Sequence, residues 1–193
     1  MALSNKTGSA DSAVGVYDDA VLLAQIDCDA EHGFTLLVKR YTQSVFNLCY
    51  SYMGNRTDAD DAAQEVFLKI YRHIGGFKKK AKLSTWIYRI AINTCLNALR
   101  SRSRRMQHVN SDDVEIASHD KAIDAVETEH RIHTAIAKLP TDYRSIVVLR
   151  EYEHKDYREI AEILACSIGS VSSRLSRARD MLRRLLSEQE VTL

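Results

Sequence analysis

Proline is almost absent and glycine is scarce, with one Pro and seven Gly in 193 residues. Turn-rich β-sandwiches and low-complexity chains need far more of both. No CxxC pair occurs. Cys28, Cys49, Cys95 and Cys166 stand singly, which excludes a disulfide framework and reads as reduced thiols. No apolar run approaches the roughly 18 residues of a membrane span. The opening MALSNKTGSADSAVG has no apolar core for a signal peptide. A cytoplasmic location without membrane insertion is expected. An excess of one charge is missing too: 27 Lys+Arg face 26 Asp+Glu, for a net charge of +1. The balance identifies no partner, so the distribution must.

Apolar residues recur at helical spacing nearly everywhere and alternate at strand spacing nearly nowhere. The spacing predicts helices near 18–27, 34–53, 58–73 and 84–105, then 123–138, 141–152, 156–165 and 168–188. Gly54-Asn55 breaks the second of these and Thr57 is placed to cap the third. Ser84 or Thr85 is placed to cap the fourth, and Asp156 with Glu159 makes a capping-box pair. Between the two groups of helices lies an acidic stretch. Residues 111–129 carry seven acids against the single base Lys121. The expected fold is therefore all-α, with two small helical domains joined by an acidic flexible linker. The boundaries read as a disordered N-terminus over 1–16, a first domain over 17–105, a linker over 106–122 and a second domain over 123–193.

The bases are segregated. From Lys78 to Asn110 there are nine Lys and Arg and no acid, and from Arg174 to Arg184 five arginines face only Asp180. A solvated helix face is the ordinary meaning of such a run. Two runs in different domains, flanking an acidic tether, point instead to phosphate.

The second run lies on a helix pair. Ile160, Ala161, Ile163 and Leu164 form the apolar side of the first helix. After the turn Ala165-Cys166-Ser167, the stripe Ile168, Val171, Leu175, Ala178, Leu182 and Leu185 forms that of the second. Gly169, Ser173, Ser176, Arg177 and Asp180 then face outward, with Ser172 at the margin. This is a helix-turn-helix pattern, whose second helix can enter a major groove and offer hydroxyls and arginine to base edges.

The first run leads into a helix with two faces. Leu83, Ile87, Ile90, Ala91, Ala98 and Leu99 suit a core. Trp86, Arg89, Asn93, Asn97, Arg100 and Arg104 form a second stripe. Asn can read a base, Arg can hold phosphate and Trp can stack, and the basic loop 77–83 precedes them. That combination suits opened or single-stranded DNA. Trp86 alone would more often be a core aromatic.

With these segments in view, the chain resembles the sigma-70 family of bacterial transcription initiation factors, in its two-domain extracytoplasmic-function (ECF) group. DADDAAQEVFLKIYR (58–72) resembles the polymerase-binding helix of region 2, and residues 77–105 its promoter-melting and −10-reading segment. Residues 139–167 resemble the start of region 4, and IGSVSSRLSRARDMLRRLL (168–186) its −35 recognition helix. The resemblance spans about residues 20–187.

It implies a non-enzymatic factor, without metal or cofactor, that binds core RNA polymerase and promoter DNA and is held by an anti-sigma factor, often membrane-anchored. Asp58, Asp61, Gln64 and Glu65 would dock on the polymerase clamp, with Ala62, Val66, Phe67 and Ile70 facing the core. Lys78, Lys79, Lys80, Lys82, Trp86, Arg89, Asn93, Asn97 and Arg100 would bind and melt the −10 element. Ser172, Ser173, Arg174, Ser176 and Arg177 would read the −35 element. Arg174, nearer the apolar stripe, is expected to act partly as a structural ion-pair or phosphate residue. Lys79, Lys80 and Ala81 stand where many members have Gly, Ser or an acid, and Ser172 where some have Arg. The resemblance therefore does not specify which bases are read.

In the family the linker runs through the RNA exit path of polymerase, where its negative charge imitates RNA. An extended 106–123 segment reaches at most ~60 Å. A spacer of ~16 base pairs at ~3.4 Å each is ~54 Å long, so both domains can reach one promoter.

Two other readings compete. A helix-turn-helix regulator acting on duplex DNA without joining polymerase would not need the basic loop or the acidic helix 58–72. An enzyme would need a site that is missing: there is no Gly-rich phosphate loop, no HExxH and no paired nucleophile and base. The Asp58/Asp60/Asp61 cluster has no adjoining His or Cys ligand and one helix cannot converge all three, while His130 with His133 and Cys28 with His32 are incomplete metal sites that read as surface or core residues.

Overall fold

Asn55 begins the region that carries the acidic helix, and its side chain explains where that helix starts. In the computed structural model, Asn55 Oδ1 accepts from the Asp58 backbone N–H at 2.9 Å, and its Nδ2 donates to Asp58 Oδ2 at 2.9 Å. The cap is therefore Asn55 and not Thr57. Asn offers both a donor and an acceptor, and it precedes the helix by one position.

The structure describes the backbone of residues 18–108 and 124–190, and the side chains of 18–104 and 131–187. The described residues hold helices and turns only. The expected N-terminal tail 1–16 and most of the linker 106–122 lie outside them. The helices are α1 (Asp19–Cys28), α2 (Ala30–Met53), α3 (Arg56–His73) and α4 (Leu83–His108), then α5 (Asp124–Lys138), α6 (Thr141–Val147), α7 (Tyr157–Leu164) and α8 (Ile168–Glu190).

Packing separates a first unit, through Tyr41, from a second, Thr42–Leu193. In the first, α1 lies against the start of α2, which begins four residues earlier than its apolar spacing suggests. Tyr41 Oη donates to Asp19 Oδ1 at 2.7 Å, and Leu22 and Leu37 are fully buried. Gly33 is where the backbones meet, because a Cβ there would overlap the backbone of Gln25 and Ile26. Gly33→Ala should destabilise the chain by about 1–3 kcal/mol, the usual penalty of overpacking. Chemical denaturation would check this, and an unchanged midpoint would show that the helices can part freely.

In the second unit, the acidic helix α3 packs on α4 through Ala59, Ala62, Ala63, Val66 and Ile70. Alanines on one helix allow close approach, so the contact is compact. Phe67 is only half-buried, short of the core role expected of it. Ser84 and Thr85 are buried inside the first turn of α4 and do not cap it, since the helix begins at Leu83. Its buried side is also wider than the expected stripe. Leu83, Ile87 and Ala91 are joined by Tyr88, Ile92, Thr94 and Cys95, while Ile90, Ala98 and Leu99 are half-buried. The thiols of Cys49 and Cys95 touch at 3.6 Å, and hydrogen bonding and burial together push the Cys49 thiol up.

Helices α5 to α8 pack among themselves around Ile136, Leu139, Ile146, Leu149, Ile160, Val171 and Leu175, all buried. Burying each such side chain is worth about 1.5–3 kcal/mol. After α6 the chain widens into a π-helical turn, Val148–Tyr152, and His154 takes a left-handed φ of 50°. The Asp156–Glu159 capping box forms as expected and starts α7. Ala165 closes α7 with φ 51°, and Ser167 Oγ accepts from the Ser170 N–H at 3.1 Å to begin α8. Together these make the helix-turn-helix. Ile168, the first residue of α8, departs from its assigned stripe and is 48% exposed.

Candidate functional site

The acidic face of α3 separates into a structural end and a free end. Asp58 is half-buried, tied to Asn55, and bridged to Arg102 of α4 at 3.1 Å. Asp61, Gln64 and Glu65 are exposed one and two turns on, with Glu65 3.2 Å from Lys69. Leu68 and Tyr71, 51% and 61% exposed, continue the outward side, and nothing in the sequence singles them out. Charge patterning points to the acids, while two apolar residues on an outer face carry no signal without the fold. Between α3 and α4 runs a groove of about 880 Å³, lined by Asp61 and Glu65 on one side and by Asn97, Ala98 and Ser101 on the other. Asn97 thus shares a groove with the acidic face as well as a helix with the basic stripe.

The basic loop is exposed at Lys78, Lys79 and Lys80, and Lys79 takes a left-handed φ of 53°. Non-glycine residues rarely hold that conformation. Trp86 is half-buried with its ring centroid 5.2 Å from that of Phe77. It serves local packing and keeps one part accessible. Arg89, Asn93, Asn97 and Arg100 lie along the exposed side of α4.

Two members of this set are engaged elsewhere. The Arg89 guanidinium donates to the backbone carbonyls of Glu162 and Ile163 at the end of α7. Lys82 Nζ lies 2.8 Å from Glu159 Oε1. The Lys82 hydrogen bond, joined by the Asp156 N–H and Lys155, holds the Glu159 carboxyl below its usual 4.5. Because the folded value is depressed, this stabilising contribution is present above pH 4.5 and lost as pH falls through the folded value. Lys82 itself is raised by Glu159, so its contribution is present below 10.5 and lost as pH rises through the raised value. Lys82→Met should therefore move the Glu159 carboxyl midpoint part of the way back toward 4.5 in a carbon-detected NMR titration. An unmoved midpoint would place the two side chains apart in solution.

On α8, Ser172, Ser173, Ser176 and Arg177 are all exposed, and Arg177 has no partner among the described residues. Arg174 is half-buried and 4.0 Å from Asp142 of α6. The α8 face can therefore present hydroxyls and one unencumbered guanidinium to a groove.

Several interactions have no sequence signal. Tyr52 Oη and Ser145 Oγ are 2.5 Å apart in a buried pair, and burial pushes the Tyr52 phenol up to about 12. Arg144 donates to the Tyr52 carbonyl at 3.2 Å. His133 packs between the rings of Tyr50 and Tyr152. No cluster of three or more metal-ligating side chains occurs among the described residues, and none of their helices is long and apolar enough to cross a membrane.

Comparison with known proteins covers both groups of helices. The Sigma-70 region 2 family model matches residues 37–105, and the Sigma-70 region 4 model matches residues 129–182. The RNA polymerase sigma-H factor of Pseudomonas aeruginosa is 34% identical over 180 residues, 87% of this chain and 93% of its own. The ECF RNA polymerase sigma-E factor of Haemophilus influenzae is 35% identical over 85% of this chain and 93% of its own. Among solved structures, CnrH in complex with the cytosolic domain of CnrY superposes with a TM-score of 0.68 at 24% identity, covering 88% of this chain and 97% of CnrH. The sigma factor RpoE of Bartonella quintana, in complex with the anti-sigma factor NepR, gives 0.65 at 25% identity over 80% and 96%.

Proposed function

Because the chain belongs to the sigma-70 family, among the ECF RNA polymerase sigma factors, we propose that each of its exposed polar faces has one task in initiation. Asp61, Gln64 and Glu65 dock on the clamp of core polymerase, while Asp58 mainly ties α3 to α4. Lys78, Lys79, Lys80, Lys82, Arg89, Asn93, Asn97 and Arg100, with Trp86 beside them, bind and open the −10 element. Ser172, Ser173, Ser176 and Arg177 read the −35 element, with Arg174 supporting them. The protein works in the cytoplasm, catalyses no reaction itself and requires no cofactor. An anti-sigma protein holds it inactive, as NepR is bound to its solved relative.

The observation that carries this reading is the pairing, in one chain, of an exposed acidic helix face with two separate basic faces of different composition. A duplex-binding regulator uses only the last of these. The factor alone should bind duplex promoter DNA weakly and should direct core polymerase to start at one −35/−10 pair. Each reading face is small, so useful affinity needs both domains held on polymerase. Purified transcription with core enzyme is the test. Tight promoter binding by the isolated chain, with no effect on transcription, would favour the regulator.

A further inference from the structure

Lys82 and Arg89, both assigned above to the opened strand, are bound to the helix-turn-helix. Arg89 places its planar donors on the last carbonyls of α7, and Lys82 sits on Glu159 about one turn earlier in the same helix. The end of an α-helix carries unpaired carbonyls and the negative pole of its dipole. With the carboxylates of Glu159 and Glu162 beside it, α7 offers the same chemistry as a run of phosphates: oxygen acceptors and negative charge. Asn93 lines the adjoining cleft of about 410 Å³, together with Ile163, Leu164 and Arg174. The contact is anchored around its rim. Tyr88, 2% exposed, donates to Glu153 and lies under Lys155 Nζ at 5.5 Å, and Tyr52 and Ser145 close the far side.

This arrangement is incompatible with a bound promoter. Here α4 and α7 are in contact, whereas the two elements they serve stand ~54 Å apart along ~16 base pairs. The Nε and Nη2 donors of Arg89 are on α7, so the two-pronged edge that would grip a phosphate is occupied.

We propose that the helix-turn-helix domain latches the strand-binding face shut in the polymerase-free chain, with α7 acting as an internal DNA mimic on Lys82 and Arg89. Separation of the domains releases both residues. Lys78, Lys79, Lys80 and the reading face of α8 stay exposed, so the latch suppresses capture of opened strand and leaves the duplex-reading face available. The proposal rests on the assignment of Lys82 and Arg89 to DNA.

The test uses the full chain and a labelled 20-nucleotide single strand of mixed sequence. Glu153→Gln with Glu159→Gln removes the two carboxylates that hold Tyr88 and Lys82, and Gln at position 159 can still complete the capping box. Spin labels at Ser103→Cys and Ser187→Cys, with Cys28→Ser and Cys166→Ser, report the separation of the domains. The parent should give one short, narrow distance. The double variant should give a broad, longer one and bind the strand at least tenfold more tightly. Carbodiimide coupling of Lys82 to Glu159 in the parent should instead abolish the gain in strand binding that core polymerase brings. The latch is overturned by a broad distribution in the parent, by a variant that opens without gaining affinity, or by a coupled chain that, with core polymerase present, binds the strand as well as the uncoupled one does. A chain that directs polymerase normally but fails these tests loses the latch and keeps its function. One that never directs polymerase loses the function.

Discussion

Asp61→Lys combined with Glu65→Lys should lower affinity for core polymerase at least thirtyfold while leaving helix content and melting unchanged. Both side chains are exposed on α3, and neither contributes to the packing on α4, which runs through Ala59, Ala62, Ala63, Val66 and Ile70. The fold should therefore tolerate the change. The interface should not, because placing like charges against a complementary patch costs on the order of several kcal/mol, and 2 kcal/mol is already about thirtyfold. Glu65→Lys also leaves Lys69 without its carboxylate partner at 3.2 Å, adding positive charge to the same turn. Asp58→Ala is the contrast. It should weaken polymerase binding little and lower stability instead, since Asp58 joins Asn55 and Arg102. Competition against a labelled sigma factor measures the first effect, and thermal melting the second. Unchanged competition by the doubly reversed chain would remove α3 from the interface.

Arg177→Ala should cost about 1–3 kcal/mol in promoter association, a loss specific to the −35 sequence. Arg177 is exposed on the outer side of α8 and has no partner among the described residues, so its removal orphans none of their polar groups. Replacing Lys78, Lys79 and Lys80 with Ala should act elsewhere. It should slow opening and reduce the salt dependence of open-complex stability by about 0.7 in log–log slope for each phosphate no longer neutralised. Lys82 is left in place because it is bound to Glu159, and its removal would change two things at once. A template with a pre-melted −10 bubble should rescue part of the lysine defect and none of the Arg177 defect. Permanganate reactivity and transcript yield on closed and bubble templates make the comparison. An identical response of the two variants to the bubble would refute the division of labour.

Amphipathic spacing and capping are local properties, so the helices are legible from the chain alone. The Asp156–Glu159 box and the buried Val171, Leu175 and Ala178 of α8 can all be read directly. Where local signals tie, they mislead. Thr57 and Asn55 are both good caps, and only the folded turn selects Asn55. The exposed charged faces are legible too, since charge excluded from a core must appear on a surface. Which of those charges meet one another is not legible. Lys82 and Glu159 are 77 positions apart, and Arg89 and Glu162 are 73 apart. Periodicity carries no information across such distances, and a backbone carbonyl at a helix end has no residue identity to read. Tyr88 and Ile92 look like ordinary helix positions and are buried because a second group of helices closes over them. That closure is a tertiary effect: burial depends on what packs against a face, and the residues of the face do not specify their neighbour.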